Sequence, residues 1–343
     1  MKQPSTRATI YDIARRCEAS PSTVSAALNG NWKARRISER TVQTIRRVAD
    51  ELGYAVNRQA RGLRQSRSGM IGMLLPHHDN RFFSALSQAF SEQARRRDLC
   101  PIIVSTDRRA DEEIAAVATL AGYSIEALVI AGATAPDALR ERCRAVGLAH
   151  VFVDQPCRTG RSVVSDNRQG AHWLTDRLID GLPAGTDGAT LHFLGGDAAQ
   201  HATAKRIAGF RTAVRARLGH APDPRQITAC GYDPEVATHE LACLCDRLGG
   251  LPEGLLINSV SCFEGAMRYL LTLPPSAFDR CTMGLYDYDP FGAFFPFRLY
   301  MVRQNAEGLI GRAFSWLDVG DDGSPGLASV PPDLLEPGEV HVV

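Results

Sequence analysis

Apolar residues in the first 52 positions recur at helical spacing in three short bursts. Ile10, Ile13, Ala14 and Cys17 form the first, Val24, Ala27 and Leu28 the second, and Val42, Ile45, Val48, Ala49 and Leu52 the third. Each burst has a polar starter. Thr9 precedes the first, with Asp12 three positions on, the spacing of a capping box. Ser20 caps the second and Pro21 suits its first turn. Ser38 opens the third, and Gly53 follows its end. The first run stops near Glu18-Ala19 and the second starts at once, so the pair predicts a helix-turn-helix.

From residue 69 the period changes. Short apolar runs alternate with helical stretches, which predicts parallel sheets. Strands are expected at Met70–Leu75, Ile102–Ser105, Ala127–Ile130, Val151–Val153, Thr190–Leu194, Ile227–Ala229, Gly254–Ile257 and Thr282–Leu285, with a helix from about Phe82 to Arg97. So many strands predict two doubly wound lobes, with a ligand between them at the strand carboxyl ends. Residues 320–326 read as a loop and 339–343 have strand propensity. No long terminal heptad run is visible, so a homodimer is expected rather than a coiled-coil tetramer. Residues 1–53 thus form a helical head, 54–68 a short basic segment and linker, and 69–343 an α/β body.

Charge sharpens this division. Residues 1–68 carry 14 Lys and Arg against 5 Asp and Glu, leaving 25 basic and 33 acidic residues for the rest. A basic head on an acidic body suits double-stranded DNA as the head's partner. The second helix is expected to expose Ser22, Thr23, Ser25, Ala26 and Asn29, small groups able to approach base edges in a major groove. Arg35, Arg36, Arg40, Arg46 and Arg47 are placed to reach phosphates. The sequence has no apolar run of the roughly 20 residues a membrane helix needs and no secretory signal after Met1, so no membrane partner and a cytoplasmic location are expected. The nine cysteines are scattered without a CxxC, which predicts buried free thiols and no zinc site.

The residues of the head closely resemble those of the Lac repressor family of bacterial transcriptional regulators. The resemblance runs through Thr9-Ile10-Tyr11-Asp12-Ile13-Ala14, Ser20-Pro21-Ser22-Thr23-Val24-Ser25 and Asn29-Gly30, then through Tyr54, Asn57, Ala60 and Leu63. It implies DNA contacts from Thr9, Tyr11, Ser20 and the second helix, and a hinge helix within 54–68 that folds on operator DNA. Asn57, Ala60, Leu63 and Arg64 would belong to that hinge, with Leu63 wedged into the minor groove. Three residues depart from the family's pattern. Glu18 stands where the turn usually has Gly, and Ala26 where many members carry a base-reading Arg. Gly62 weakens a hinge helix by about 1 kcal/mol relative to Ala. The loop from Asn29 to Ser38 is similar to that of the fructose repressor, or catabolite repressor/activator, branch.

The body resembles the same family at Pro76, Asn80-Arg81-Phe82-Phe83, Val153-Asp154, Asp166-Asn167, Gly170, Arg206, Gly209-Phe210, Gly284, Tyr286-Asp287 and Gln304. This implies a periplasmic-binding-protein-like core whose cleft takes a small sugar or sugar phosphate, with a phosphorylated fructose the expected effector. Arg206 would bind ligand oxygens and Asp287 sugar hydroxyls. Phe82 and Phe83 would form an apolar wall, and Arg81 would add a second cation. Asp154 and Ser259 complete the expected set, while Val260 stands where relatives commonly carry Asp. The alternatives are an Arg206 that only braces its helix by an ion pair, and Phe82 or Phe83 as core. Asp166-Asn167 reads mainly as turn chemistry. A nucleobase or amino acid effector would use the same architecture. A sugar-processing enzyme is the remaining alternative, but no Walker, Rossmann or GxSxG motif occurs and His77-His78-Asp79 has no second ligand cluster. No catalytic residue, metal or cofactor is expected.

Overall fold

Residues 8–54, 68–184, 186, 188–295, 297–320 and 324–338 are described by a computed structural model of the chain. The chain divides after Ser68 into two units. In the first, helices α1 (Ile10–Arg16), α2 (Pro21–Leu28) and α3 (Glu39–Glu51) stand at the three apolar bursts. Each starts on its expected cap. The Asp12 carboxylate accepts from the Thr9 backbone N–H at 2.9 Å, and the Thr9 hydroxyl accepts in return from the Asp12 N–H. Ser20 accepts from the Thr23 N–H at 3.1 Å and Ser38 from Thr41 at 3.2 Å. Helix α2 lies against both α1 and α3, and Ile13, Val24, Ala27 and Ile45 close a core without exposed surface. Glu18 sits in the α1–α2 turn at φ 50°. The turn therefore keeps the left-handed geometry a glycine would favour, at a strain on the order of 1–2 kcal/mol. The expected hinge residues Asn57, Ala60, Leu63 and Arg64, and the tail at 339–343, lie outside the described residues.

The second unit holds two six-stranded sheets. The first lobe contains β1 (Met70–Leu75), β2 (Cys100–Ser105), β3 (Ala127–Ala131), β4 (Ala149–Val153), β5 (Arg161–Ser165) and β11 (Gly326–Val330). They are parallel throughout, in the order β11-β5-β4-β3-β1-β2. The second lobe contains β6 (Leu191–Leu194), β7 (Ile227–Thr228), β8 (Gly254–Ile257), β9 (Thr282–Tyr286), β10 (Arg298–Arg303) and β12 (Asp333–Leu335), in the order β12-β10-β9-β8-β6-β7. Only β12 is antiparallel to its neighbour. Helices α4 (Arg81–Arg96), α5 (Ala110–Gly122), α6 (Pro136–Ala145) and α11 (Ala306–Val319) belong to the first lobe. Helices α7 (Asn167–Asp180), α8 (His201–Leu218), α9 (Pro234–Leu248) and α10 (Val260–Leu270) belong to the second. Strands covered on both faces read as continuous apolar runs, which is why β1, β3 and β8 were plain in the sequence. Strands β5, β10, β11 and β12 were not foreseen.

The chain crosses between lobes three times, at Asp166, at Gln304-Asn305 and at Pro331-Pro332. One close approach shapes the site. At Gly209 of α8, a Cβ would lie 2.2 Å from the Arg168 carbonyl oxygen of α7. Glycine therefore lets α8 settle onto α7, and that contact brings Arg206 to the first residue of α7, Asn167.

Candidate DNA-reading surface and effector cleft

The head presents a polar face at the start of α2. Ser20 and Ser22 are exposed, Thr23, Ser25 and Asn29 are half-buried. The Ser20 hydroxyl lies 2.8 Å from those of Ser22 and Thr23, and the Asn29 amide donates to Ser25 at 3.2 Å. Thr9 is exposed and Tyr11 is 68% exposed, a large aromatic left at the surface. Arg35 and Arg36 are exposed in the loop before α3. Arg47 is held by Glu51 at 2.8 Å. Ala26, by contrast, is not presented on this face as its place in the second helix suggested: it is only 6% exposed. On a short helix clasped between two others, a single methyl sits below the level of its longer neighbours, so it is covered rather than presented.

In the second unit, the strand ends converge on a cleft of about 250 Å³. His77 follows β1, Arg108 follows β2, and Asp154 and Gln155 follow β4. From the other lobe come Tyr232 beyond β7, Ser259 after β8, Asp287 after β9 and Gln304 after β10. This is where doubly wound sheets carry ligands. Asn80 caps α4 by accepting from the Phe82 N–H at 3.0 Å, which sets Phe82 and Phe83 against the cleft. Phe83 is also core, whereas Phe82 is half-buried. Ser259 caps α10, accepting from the Cys262 N–H at 3.2 Å.

Arg206 is 3% exposed and held on three sides. Its Nε donates to Asn167 Oδ1 at 2.8 Å, its Nη1 to the Asn258 carbonyl at 2.5 Å, and its guanidinium lies 3.7 Å from the Tyr286 ring centre. The brace is thus hydrogen bonding and ring stacking rather than a close ion pair. Asn167, read from sequence as turn chemistry, is the residue that aims it. Asp287 is 7% exposed and accepts from Gln304 Nε2 at 2.6 Å. Burial raises its carboxyl to about 6 against the pull of Arg206 and Gln304. Burial likewise raises Asp154, against the attraction of Arg206 and Arg108. Asp154 at φ 74°, Arg108 at φ 56° and Asp287 at φ 128° hold strained backbone, as sites that must aim side chains commonly do. Gln155 bridges the lobes, accepting from the His201 N–H at 3.2 Å.

Arg81 does not line the cleft. Its guanidinium is drawn instead to residues beyond β9 of the second lobe, pairing with Asp289 at 3.0 Å and lying 5.6 Å from the ring centre of Phe291, while Phe82 and Phe83 line the cleft. The second cation of the cleft is Arg108, which sequence reasoning missed together with Tyr232 and Gln155. None of these falls in a motif, and only the folded strand ends bring them together. Five of the nine free cysteines are buried as expected, whereas Cys100 and Cys243 are exposed and Cys17 and Cys230 half-buried. Among the described residues no group of three or more His, Cys, Asp or Glu is placed to hold a metal, and no helix is long and apolar enough to cross a membrane.

Residues 9–57 match the model for bacterial regulatory proteins of the lacI family. Residues 68–231 match that for periplasmic binding proteins and the sugar binding domain of the LacI family. The ribitol operon repressor of Klebsiella aerogenes is 41% identical over 228 residues, covering 64% of this chain and 84% of that protein. The chain belongs to the LacI family. Two solved regulators show the same fold. The lac repressor dimer bound to operator and the anti-inducer ONPF has a TM-score of 0.78 at 18% identity, covering 98% of this chain and all of that one. The Cra dual regulator of Pseudomonas putida, in complex with fructose 1-phosphate, has a TM-score of 0.68 at 21% identity, covering 78% and 98%. As a LacI-family member the chain is a DNA-binding transcriptional regulator, joining a helix-turn-helix head to a sugar-type effector domain.

Proposed function

We propose that this LacI-family regulator represses as a cytoplasmic homodimer on operator DNA through residues 9–64. Its switch is a small polyol or sugar, or the phosphate of one, held by Asp154, Arg206, Ser259 and Asp287 beside Phe82 and Phe83. It acts by binding and not by turnover. The observation that carries this reading is a cleft lined by two buried carboxylates, Asp154 from one lobe and Asp287 from the other, together with a clamped arginine. A polyhydroxy ligand donates to the carboxylates and accepts from the guanidinium, and the buried Gln304 Oε1, without a hydrogen-bond partner among the described residues, offers one more acceptor. The cleft volume falls below the roughly 300–1,000 Å³ of drug-sized sites, which favours a monosaccharide or open-chain pentitol over a disaccharide. The likeness to a ribitol operon repressor adds pentitols to the hexoses that the loop from Asn29 to Ser38 suggests.

Calorimetric titration with ribitol, other pentitols and fructose, with and without their phosphates, tests the ligand. One of them is expected to bind and to weaken operator affinity, and operator must weaken the ligand by the same factor. Binding of a purine instead would move the chain to another effector class. Operator affinity itself should fall steeply as salt rises, through counterion release.

Asp287 gives the effector a pH dependence. Its folded-state value of about 6 exceeds the ordinary 3.8, so the empty folded protein binds this proton more tightly than the unfolded chain. The stability it contributes is present below about pH 4 and is lost as pH rises through 6. The ligand needs the ionised form to accept its hydroxyls. Effector affinity is therefore expected to drop about tenfold between pH 7.5 and pH 5, and Asp287→Asn should flatten the profile. An unchanged slope in that variant would remove Asp287 from the role.

A further inference from the structure

The two cations of the cleft are differently placed. Arg206 has Nε and Nη1 committed to Asn167 and Asn258, and its charge lies among two carboxylates. Among the described residues, the Arg108 guanidinium has no hydrogen bond and no ion pair. Aromatic rings hold it instead. It lies 5.9 Å from the ring centre of Phe83 in the first lobe and 5.2 Å from that of Tyr232 in the second. A guanidinium held by ring faces rather than by hydrogen bonds keeps its N–H donors for a ligand.

The backbone beneath it is built and strained. Asp107 and Arg108 are consecutive left-handed residues, at φ 48° and 56°. The loop is pinned where the Asp107 N–H donates to the Pro76 carbonyl at 2.9 Å and the Ser105 hydroxyl donates to the same oxygen at 2.7 Å. The Asp107 carboxylate is turned to His77, at 3.4 Å. Asp154 attracts both arginines, but it lies beyond ion-pair distance of Arg108. When a ligand dries the cleft, an Arg108 without an anion would be a costly unpaired charge. A guanidinium fork matches a phosphate or carboxylate through two parallel hydrogen bonds.

We infer that Arg108 reads an anionic end group on the effector, a phosphate monoester or a carboxylate, and so sets the specificity of the cleft. This rests on the effector reading given above. Asp154, Asp287 and Arg206 hold the hydroxylated part, and Arg108 grips the charged terminus from the opposite lobe edge, touching both lobes as it does so.

The test is titration of the full chain and of Arg108→Gln with three ligand sets. These are the neutral polyols and fructose, their phosphate esters, and the corresponding sugar acids. The parent is expected to bind a phosphate ester or an acid at least about tenfold tighter than its neutral counterpart, as a charged hydrogen-bond pair supplies, and the ester and acid arms tell the two sources apart. Arg108→Gln should bind charged and neutral members alike, with the neutral affinity within about twofold of the parent. Arg108→Lys, which keeps the charge without the fork, should retain part of the preference. Equal binding of charged and neutral members by the parent overturns the inference, as does a preference that survives in Arg108→Gln. An equal loss for both classes would mark Arg108 as packing alone. If no polyol binds in any form, the effector reading fails by itself, and inorganic phosphate then decides Arg108. A phosphate-dependent rise in melting temperature seen in the parent and lost in Arg108→Gln upholds the anion site. Equal shifts in both proteins overturn it.

Discussion

Arg206→Ala is expected to abolish the effector response and to lower the melting temperature of the second unit at once. The arginine is buried, and two carboxylates close to it rely on its charge. Removing one member of such a buried set leaves the others uncompensated, at about 3–5 kcal/mol. For a unit of this size that is roughly 5–15 °C of melting temperature. The Asn167 amide oxygen and the Asn258 carbonyl would also lose their donors. Arg206→Lys separates the two effects. It keeps a cation near Asp154 and Asp287 but cannot bridge both acceptors and the ligand, so binding should fall further than stability. Calorimetric titration and thermal melting on the same samples read both. An alanine variant that binds effector like the parent would move the site elsewhere.

Ile45→Ala should disable operator binding while leaving effector binding intact. Ile45 has no exposed surface and closes the small core with Ile13, Val24 and Ala27. Removing an isoleucine side chain from a core costs about 2–5 kcal/mol. A unit of this length is stabilised by only about 3–10 kcal/mol in total, so the substitution takes a large part of what holds α2 in place. Operator affinity is expected to fall at least tenfold near 37 °C and to recover partly on cooling, an order of magnitude that corresponds to about 1.4 kcal/mol. The exposed control Arg35→Ala should instead reduce affinity modestly and shallow the salt dependence by about one charge. Operator binding by Ile45→Ala at parental strength and temperature dependence would contradict the packing account.

The head was legible almost to the residue because its signals are local. Thr9, Ser20 and Ser38 each cap the helix they precede, and caps need only a few neighbours. Ala26 was misplaced for a non-local reason: its burial depends on two other helices. In the body, β1, β3 and β8 announced themselves by continuous apolar runs. Strand β5 has only Val163 and Val164 in its centre, and β11 is an edge strand with alternating exposure, so neither run stands out. Resemblance pointed to Arg206, Asp287, Phe82 and Phe83, all of which line the cleft. It did not find Asn167's hold on Arg206, nor Arg108, because the chain brings these together only where α7 meets α8 and where β2 ends.

The threading of the second unit has a consequence for biosynthesis. Helix α11 supplies Leu309, Ile310, Ala313 and Phe314 to the core that also holds Phe83, Leu86 and Phe90 of α4. All of the second lobe except β12 lies between β5 and that helix in the chain. At about 5–20 residues per second, the ribosome delivers α11 roughly 7–30 s after β5. During that interval the nascent first lobe has β1 to β5 but neither α11, which helps cover one of their faces, nor the edge strand β11. The first lobe is complete only once α11 and β11 have left the tunnel, so a premature stop between Gln304 and Val319 costs it part of its core, and one before Asp333 costs the second lobe its edge strand.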